Sequence, residues 1–264
     1  MEEKKSSYIE YLKLAAILVI PMLFLSLYSF YEGEIGWNFT LQKADIAGHF
    51  VVKEAAIDLQ PEQDSFTKKI TTTVVCDTAS QRILFIGDSM LEGLSKRLRQ
   101  YVAENNHELL TVIWYSSSTK VWGQYSDTLA YFIRDFQPTY VFVCLGANEL
   151  FISNPEKNES YIKQILAQIG DIPYIWIGPP NWKDDTGINA VMEKTVAPNH
   201  FFPSKRLQYE RSKDGAHPTM TSAAKWMDSI AVWMNDSINY RIPMRFPQAD
   251  VQSKGTTVLL KPLK

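Results

Sequence analysis

Arg82-Ile83-Leu84-Phe85-Ile86-Gly87-Asp88-Ser89-Met90 is the stretch on which the reading of this 264-residue chain turns. Residues 83–86 are apolar on both faces and too few for a helix, the pattern of a strand buried inside a parallel sheet. Gly-Asp-Ser stops the run. Leu91, Leu94, Leu98, Tyr101 and Val102 then repeat at helical spacing. A buried strand passing through a short polar turn into an amphipathic helix is the first half of a βαβ unit.

The same grammar recurs downstream. Residues 110–114, 140–145 and 174–177 are further short apolar runs, rich in β-branched and aromatic side chains. Between them Tyr125, Leu129, Phe132, Ile133 and Phe136 form one helical stripe, and Ile162, Ile165, Leu166 and Ile169 form another. Asn154 and Pro155 read as the cap and first position of that second helix. A last helix carries Met220, Ala223, Ala224, Met227, Ile230, Ala231 and Met234 on one face. The expected fold is three-layer α/β/α over residues 82–240, with a mostly parallel, doubly wound, flavodoxin-like sheet. Residues 241–264, interrupted by Pro243, Pro247 and Pro262, are expected to form an irregular tail.

Hydrophobic residues make up 45% of the chain and charged ones 21%, so wholesale disorder is excluded. Lys+Arg 27 against Asp+Glu 29 leaves a net charge of -2, with no basic excess to recommend nucleic acid as a partner. Two cysteines and four histidines speak against a disulfide scaffold and against paired zinc ligands. Walker A, dinucleotide-fingerprint and HExxH patterns are missing from the sequence, so neither a cofactor nor a metal is expected. Cys144, within a buried run, reads as a small hydrophobe.

At the start, residues 14–30 carry no charge. As a helix they would span ~26 Å, a little under the ~30 Å hydrocarbon core. Lys4, Lys5 and Lys13 precede the run, and Glu32 and Glu34 follow it, which puts the N-terminus on the cytoplasmic side. Residues 1–31 are therefore read as a cytoplasmic N-terminus and single transmembrane anchor, with the main domain outside the cytoplasmic membrane. A cleaved signal peptide and a buried core helix are the alternatives. The first lacks a clean small-x-small cleavage site and the second a polar face. Residues 32–81 read as a stalk or a small β-rich lead-in.

Ligands of open α/β sheets bind at the carboxyl ends of the strands, so the residues there are the ones to read for chemistry. They are Gly87-Asp88-Ser89-Met90, Tyr115-Ser116-Ser117-Ser118-Thr119 and Gly146-Ala147-Asn148-Glu149, joined before the last helix by Asp214-Gly215-Ala216-His217-Pro218. Singly, Ser89 is a plain cap, Asn148 a loop residue, Asp214-Gly215 a turn and His217 a boundary residue. Together they bring a serine, an amide, an acid and an imidazole to one sheet edge. A serine hydroxyl needs a base, and the base needs an orienting group. His217 fits the first role and Asp214 the second. Gly87-x-Ser89 lacks the second glycine of a nucleophile elbow, since Leu91 stands there.

Gly87-Asp88-Ser89, Gly146-Ala147-Asn148-Glu149 and Asp214-Gly215-Ala216-His217-Pro218-Thr219 resemble three of the four signature blocks of the SGNH (GDSL-like) hydrolase superfamily. The resemblance covers residues 82–236. It implies a catalytic Ser89, Asp214 and His217, with an oxyanion hole built from the backbone N–H groups of Ser89 and Ser118 and the Asn148 amide. Two positions depart from the family pattern. Ser118 stands where a glycine is usual, putting a side chain at the approach, and Glu149 replaces an aspartate, with an expected effect on loop bracing.

The resemblance implies an ester hydrolase acting on short acyl groups, acetyl foremost, on carbohydrate hydroxyls. Alternatives are an O-acyltransferase onto an envelope polysaccharide, a lysophospholipase-like lipid esterase and an inactive glycan-binding module. Trp122, Tyr125 and Trp182 flank the strand-end loops and are candidate sugar-stacking residues, with core packing as the alternative. The sequence leaves the oligomeric state open.

Overall fold

The computed structural model describes Val19, residues 74–248 and residues 252–263. The chain divides into two units, Met1–Thr67 and Lys68–Lys264, and the fold below is that of the second. Apart from Val19, the expected anchor at residues 14–30 lies outside the described residues, as does the lead-in up to residue 73. Among the described residues no helix is long and apolar enough to cross a membrane.

The strands are β1 Val75–Cys76, β2 Arg82–Gly87, β3 Glu108–Trp114, β4 Tyr140–Cys144, β5 Tyr174–Ile177, β6 Phe201–Phe202, β7 Tyr240–Arg241 and β8 Thr256–Leu260. The helices are α1 Leu91–Glu104, α2 Thr119–Gln124, α3 Ser126–Phe136, α4 Asn158–Ile169, α5 Ile188–Thr195 and α6 Met220–Asp236. Six strands form one sheet in the order β6-β5-β4-β2-β3-β8, and every neighbouring pair is parallel. From β2 to β6 this is the doubly wound, flavodoxin-like arrangement. The chain leaves β2 on one side to form β3 and returns on the other to form β4, so the topological switch point lies at the end of β2.

Successive side chains of a strand point to opposite faces, and β2 divides accordingly. Ile83 and Phe85 enter a core with Leu91, Leu94 and Leu98 of α1 and Trp226, Met227 and Ile230 of α6. Leu84 and Ile86 enter a second core with Trp122, Leu129, Ile162, Ile165, Ile188 and Met192 from α2 to α5. Helices thus cover both faces, which completes the three layers. Each such fully buried side chain contributes roughly 1.5–3 kcal/mol.

Two expectations need correction. The tail over residues 241–264 is not irregular throughout: Arg241 ends β7, which pairs with β1, and Thr256–Leu260 extends the sheet beside β3. Without β8 the N–H and C=O groups on that side of β3 would form a bare sheet edge. The indole N–H of Trp114 also donates to the Lys261 carbonyl at 2.9 Å. Asn154 does not cap a helix with its side chain; Pro155–Lys157 forms a 3-10 turn and α4 starts at Asn158.

Candidate active site

Gly87 ends β2 where the backbone passes closest to β4. A Cβ there would stand 2.2 Å from the Cys144 carbonyl oxygen, so only glycine permits the approach. Ser89 follows, and its carbonyl accepts from Glu92 N–H at 3.1 Å as α1 begins. The nucleophile candidate is therefore fixed between a buried strand and a helix N-terminus, at the switch point.

His217 is brought to it from 128 residues away. Its Nε2 lies 2.8 Å from Ser89 Oγ, and its Nδ1 lies 2.7 Å from Asp214 Oδ2. The loop carrying both is closed by Ser212 N–H to the His217 carbonyl at 2.8 Å and by Gly215 N–H to the Ser212 carbonyl at 2.9 Å. Gly215 has φ of 73°, the left-handed conformation this tight turn requires. Asp214 Oδ1 accepts from the N–H groups of Ala216 at 2.9 Å and His217 at 3.0 Å. Those backbone donors and the His217 side chain hold the Asp214 carboxyl down at about 2. An ionised Asp214 can only accept, so Nδ1 carries the proton and Nε2 is left to accept from the Ser89 hydroxyl.

The Ser89–His217 pair lies in an open cavity of about 430 Å³ that Tyr115, Ser116, Glu92, Ser212, Met90 and Met220 also line. Sequence reasoning missed most of these, although Tyr115 and Ser116 stand directly at a strand end. Ser116 is in the left-handed region, φ 56°, a conformation uncommon for a side-chain-bearing residue.

The loops after β3 and β4 flank Ser89 and are tied to each other. Asn148 Nδ2 donates to the Ser117 carbonyl at 2.8 Å. Glu149 is buried and accepts from Thr119 N–H at 2.9 Å, from Thr119 Oγ1 at 2.6 Å and from Asn158 Nδ2. Burial lifts the Glu149 carboxyl above the ordinary range, against the hydrogen bonds from Thr119, Lys120 and Asn158. The Glu149 carboxylate thus clamps the start of α2.

Ser118 caps α2, its Oγ accepting from Val121 N–H at 3.3 Å. The hydroxyl is thus turned to the helix, and neither Ser118 nor Asn148 is among the residues lining the Ser89 cavity. Neither the Ser89 N–H nor the Ser118 N–H finds an acceptor among the described residues. Asn148 is exposed and keeps a second amide hydrogen.

The three aromatic candidates fall elsewhere. Trp122 is fully buried, its indole N–H donating to Ser117 Oγ at 2.9 Å, so it is a packing residue and not a substrate contact. Tyr125 is exposed against Trp114 and does not line the Ser89 cavity. Trp182 packs edge-to-face on Phe151 and lines a separate groove with Asn181, Lys183, Asp184, Asp185, Lys205 and Arg206. That groove adjoins the His217 loop: Arg211 donates from one end of its guanidinium to the Asn181 carbonyl and from the other to the Ala216 carbonyl.

Asp88 is the group the sequence did not single out. It is fully buried; Oδ1 accepts from Met90 N–H at 2.9 Å, and Oδ2 has no hydrogen-bond partner among the described residues. Burial pushes its carboxyl up to about 7, with the Glu149 charge adding to the effect. Cys144, beneath it, is buried and free, and Cys76 is exposed and free. No group of three or more His, Cys, Asp or Glu among the described residues is placed to hold a metal ion.

No protein-family model matches this chain, and no curated protein matches it.

Proposed function

We propose that this protein is a serine esterase of SGNH type that removes short acyl groups, acetyl foremost, from carbohydrate hydroxyls. The observation that carries the reading is the unbroken relay at the switch point: Ser89 Oγ to His217 Nε2 at 2.8 Å, and His217 Nδ1 to Asp214 Oδ2 at 2.7 Å. His217 takes the Ser89 proton as Oγ attacks the ester carbonyl. The tetrahedral intermediate's oxyanion is met by the Ser89 and Ser118 N–H groups and the free Asn148 amide hydrogen, each worth ~10²–10³ in rate if well aimed. Collapse expels the sugar hydroxyl, protonated by His217, and leaves an acyl-Ser89. Water, deprotonated by the same imidazole, then releases the acid and restores Ser89.

A small, open cavity, in which Ser116, Ser212 and Glu92 stand beside Met90, Met220 and Ala223, supports a short acyl group. The test uses the full chain in detergent. Wild type is expected to label with a fluorophosphonate probe and to hydrolyse p-nitrophenyl acetate, and Ser89→Ala to do neither. Turnover should fall from acetate through butyrate to octanoate. A wild type that never labels removes the esterase reading, and a preference for octanoate removes the short-acyl part of it. A sugar acceptor added to the assay separates hydrolysis from transfer.

A further inference from the structure

The cleft at Ser89 does not end at the triad. Gly93 and Met220 line it, and the same two residues line a neighbouring cavity of about 280 Å³. The two cavities adjoin at these residues and together line the seam between α1 and α6 as a furrow. Gly93 lets the helices close: a Cβ there would stand 2.5 Å from Ala223 Cβ.

The charge changes sign along this furrow. Glu92 and Asp214 stand at the Ser89 end, while Lys96, Arg97 and Arg99 line the far end. Arg97 is already committed, 2.7 Å from Asp228 and stacked on Phe246. Arg99 is half engaged: Nη2 donates to Thr257 Oγ1, and Nε is buried without an acceptor among the described residues, so it offers the furrow its charge and not that N–H. Lys96 is exposed and forms no ion pair among the described residues. Lys96 is the sixth residue of α1, and at ~1.5 Å per residue it stands roughly 8 Å along the helix from the end that carries Ser89. A small neutral ester does not sense that separation. A chain with repeated negative charges is drawn into one direction along it.

We infer that the furrow is a subsite for the polymer arm of an acidic substrate: an acylated polysaccharide whose ester sits at Ser89 while a carboxylate farther along the chain lies against Lys96 and Arg99. This rests on the esterase reading above. A lysophospholipid fits less well. Its phosphate lies only a few bonds from the ester and would fall at the Glu92 and Asp214 end.

The experiment compares kcat/KM of the full chain on an acetylated oligouronide and on a neutral acetylated xylo-oligosaccharide, at low and high salt. The ratio should favour the oligouronide at low salt and shrink as salt screens the charges. Lys96→Glu should lower it about threefold to tenfold. Lys163→Glu, the same charge change on α4, should leave it unchanged. An unchanged ratio in Lys96→Glu, or an equal fall in both variants, overturns the subsite. So does turnover of a lysophospholipid in preference to both oligosaccharides. If wild type hydrolyses no ester at all, the esterase reading fails by itself, and calorimetry of unacetylated oligouronide on the full chain decides the subsite. Binding weakened by Lys96→Glu supports it, and no binding overturns it.

Discussion

Asp88→Asn is the substitution whose outcome the buried geometry fixes most sharply. The Asp88 carboxyl is raised from 3.8 to about 7, chiefly by burial. A carboxyl raised on folding contributes stability that is fully present below its unfolded value and lost as pH climbs through the folded one. The whole difference is about 4 kcal/mol, and about 3 kcal/mol of it disappears between pH 5 and pH 9. Asparagine does not titrate. It can keep the bond from Met90 N–H, but it puts an N–H group at the place of Oδ2, which has no partner among the described residues. An unsatisfied buried donor costs about 1–3 kcal/mol. The variant should therefore melt below wild type at pH 5 and at or above it at pH 9. The gap between the two proteins should move by about 5–10 °C across that range. Tryptophan fluorescence reads the transition, since Trp122, Trp176 and Trp226 are fully buried in this unit. A gap that is the same at both pH values refutes the claim that Asp88 holds its proton because it is buried.

Trp122→Phe should lower the melting temperature, by about 1–3 kcal/mol in stability for the lost volume and the lost bond to Ser117, while KM stays put. A raised KM with unchanged melting would restore Trp122 as a substrate contact. Glu149→Ala leaves Thr119 and Asn158 donors unpaired and should cost about 2–4 kcal/mol by chemical or thermal denaturation, with a fall in kcat as the Ser118 loop loosens. Asp214→Asn keeps the two backbone bonds but no longer fixes the His217 tautomer. On the esterase reading it should cut kcat by about 10²–10⁴ with little change in melting; a loss under threefold would count against the triad role.

The sheet was readable from local pattern because each of its central strands is a short apolar run closed by a polar turn. Such a run cannot avoid burial on both faces, and the helical stripes between runs leave only a parallel, doubly wound arrangement. Gly87, Ser89, Asp214 and His217 were readable for a related reason. Gly87 and Ser89 stand where a polar turn breaks an apolar run, and Asp214 and His217 lie in the polar turn just before α6.

What escaped the sequence depends on pairs distant in the chain. Thr256–Leu260 is a modest apolar run among prolines, and it becomes a strand only because β3 offers it an open edge. Trp122 reads like any loop-side aromatic, and its burial follows from Ser117 and the second core closing around it. Ser118 reads as an obstruction until α2 starts at Thr119 and takes its hydroxyl as a cap. The sequence alone determined which residues would gather at one sheet edge, because strand periodicity and polar breaks are local properties. Tertiary structure decided how they are held and charged. Burial of Asp88, its closeness to Glu149 and the joining of the Ser89 cleft to the α1–α6 furrow arise from the packing of segments far apart in the chain, and no local pattern records them.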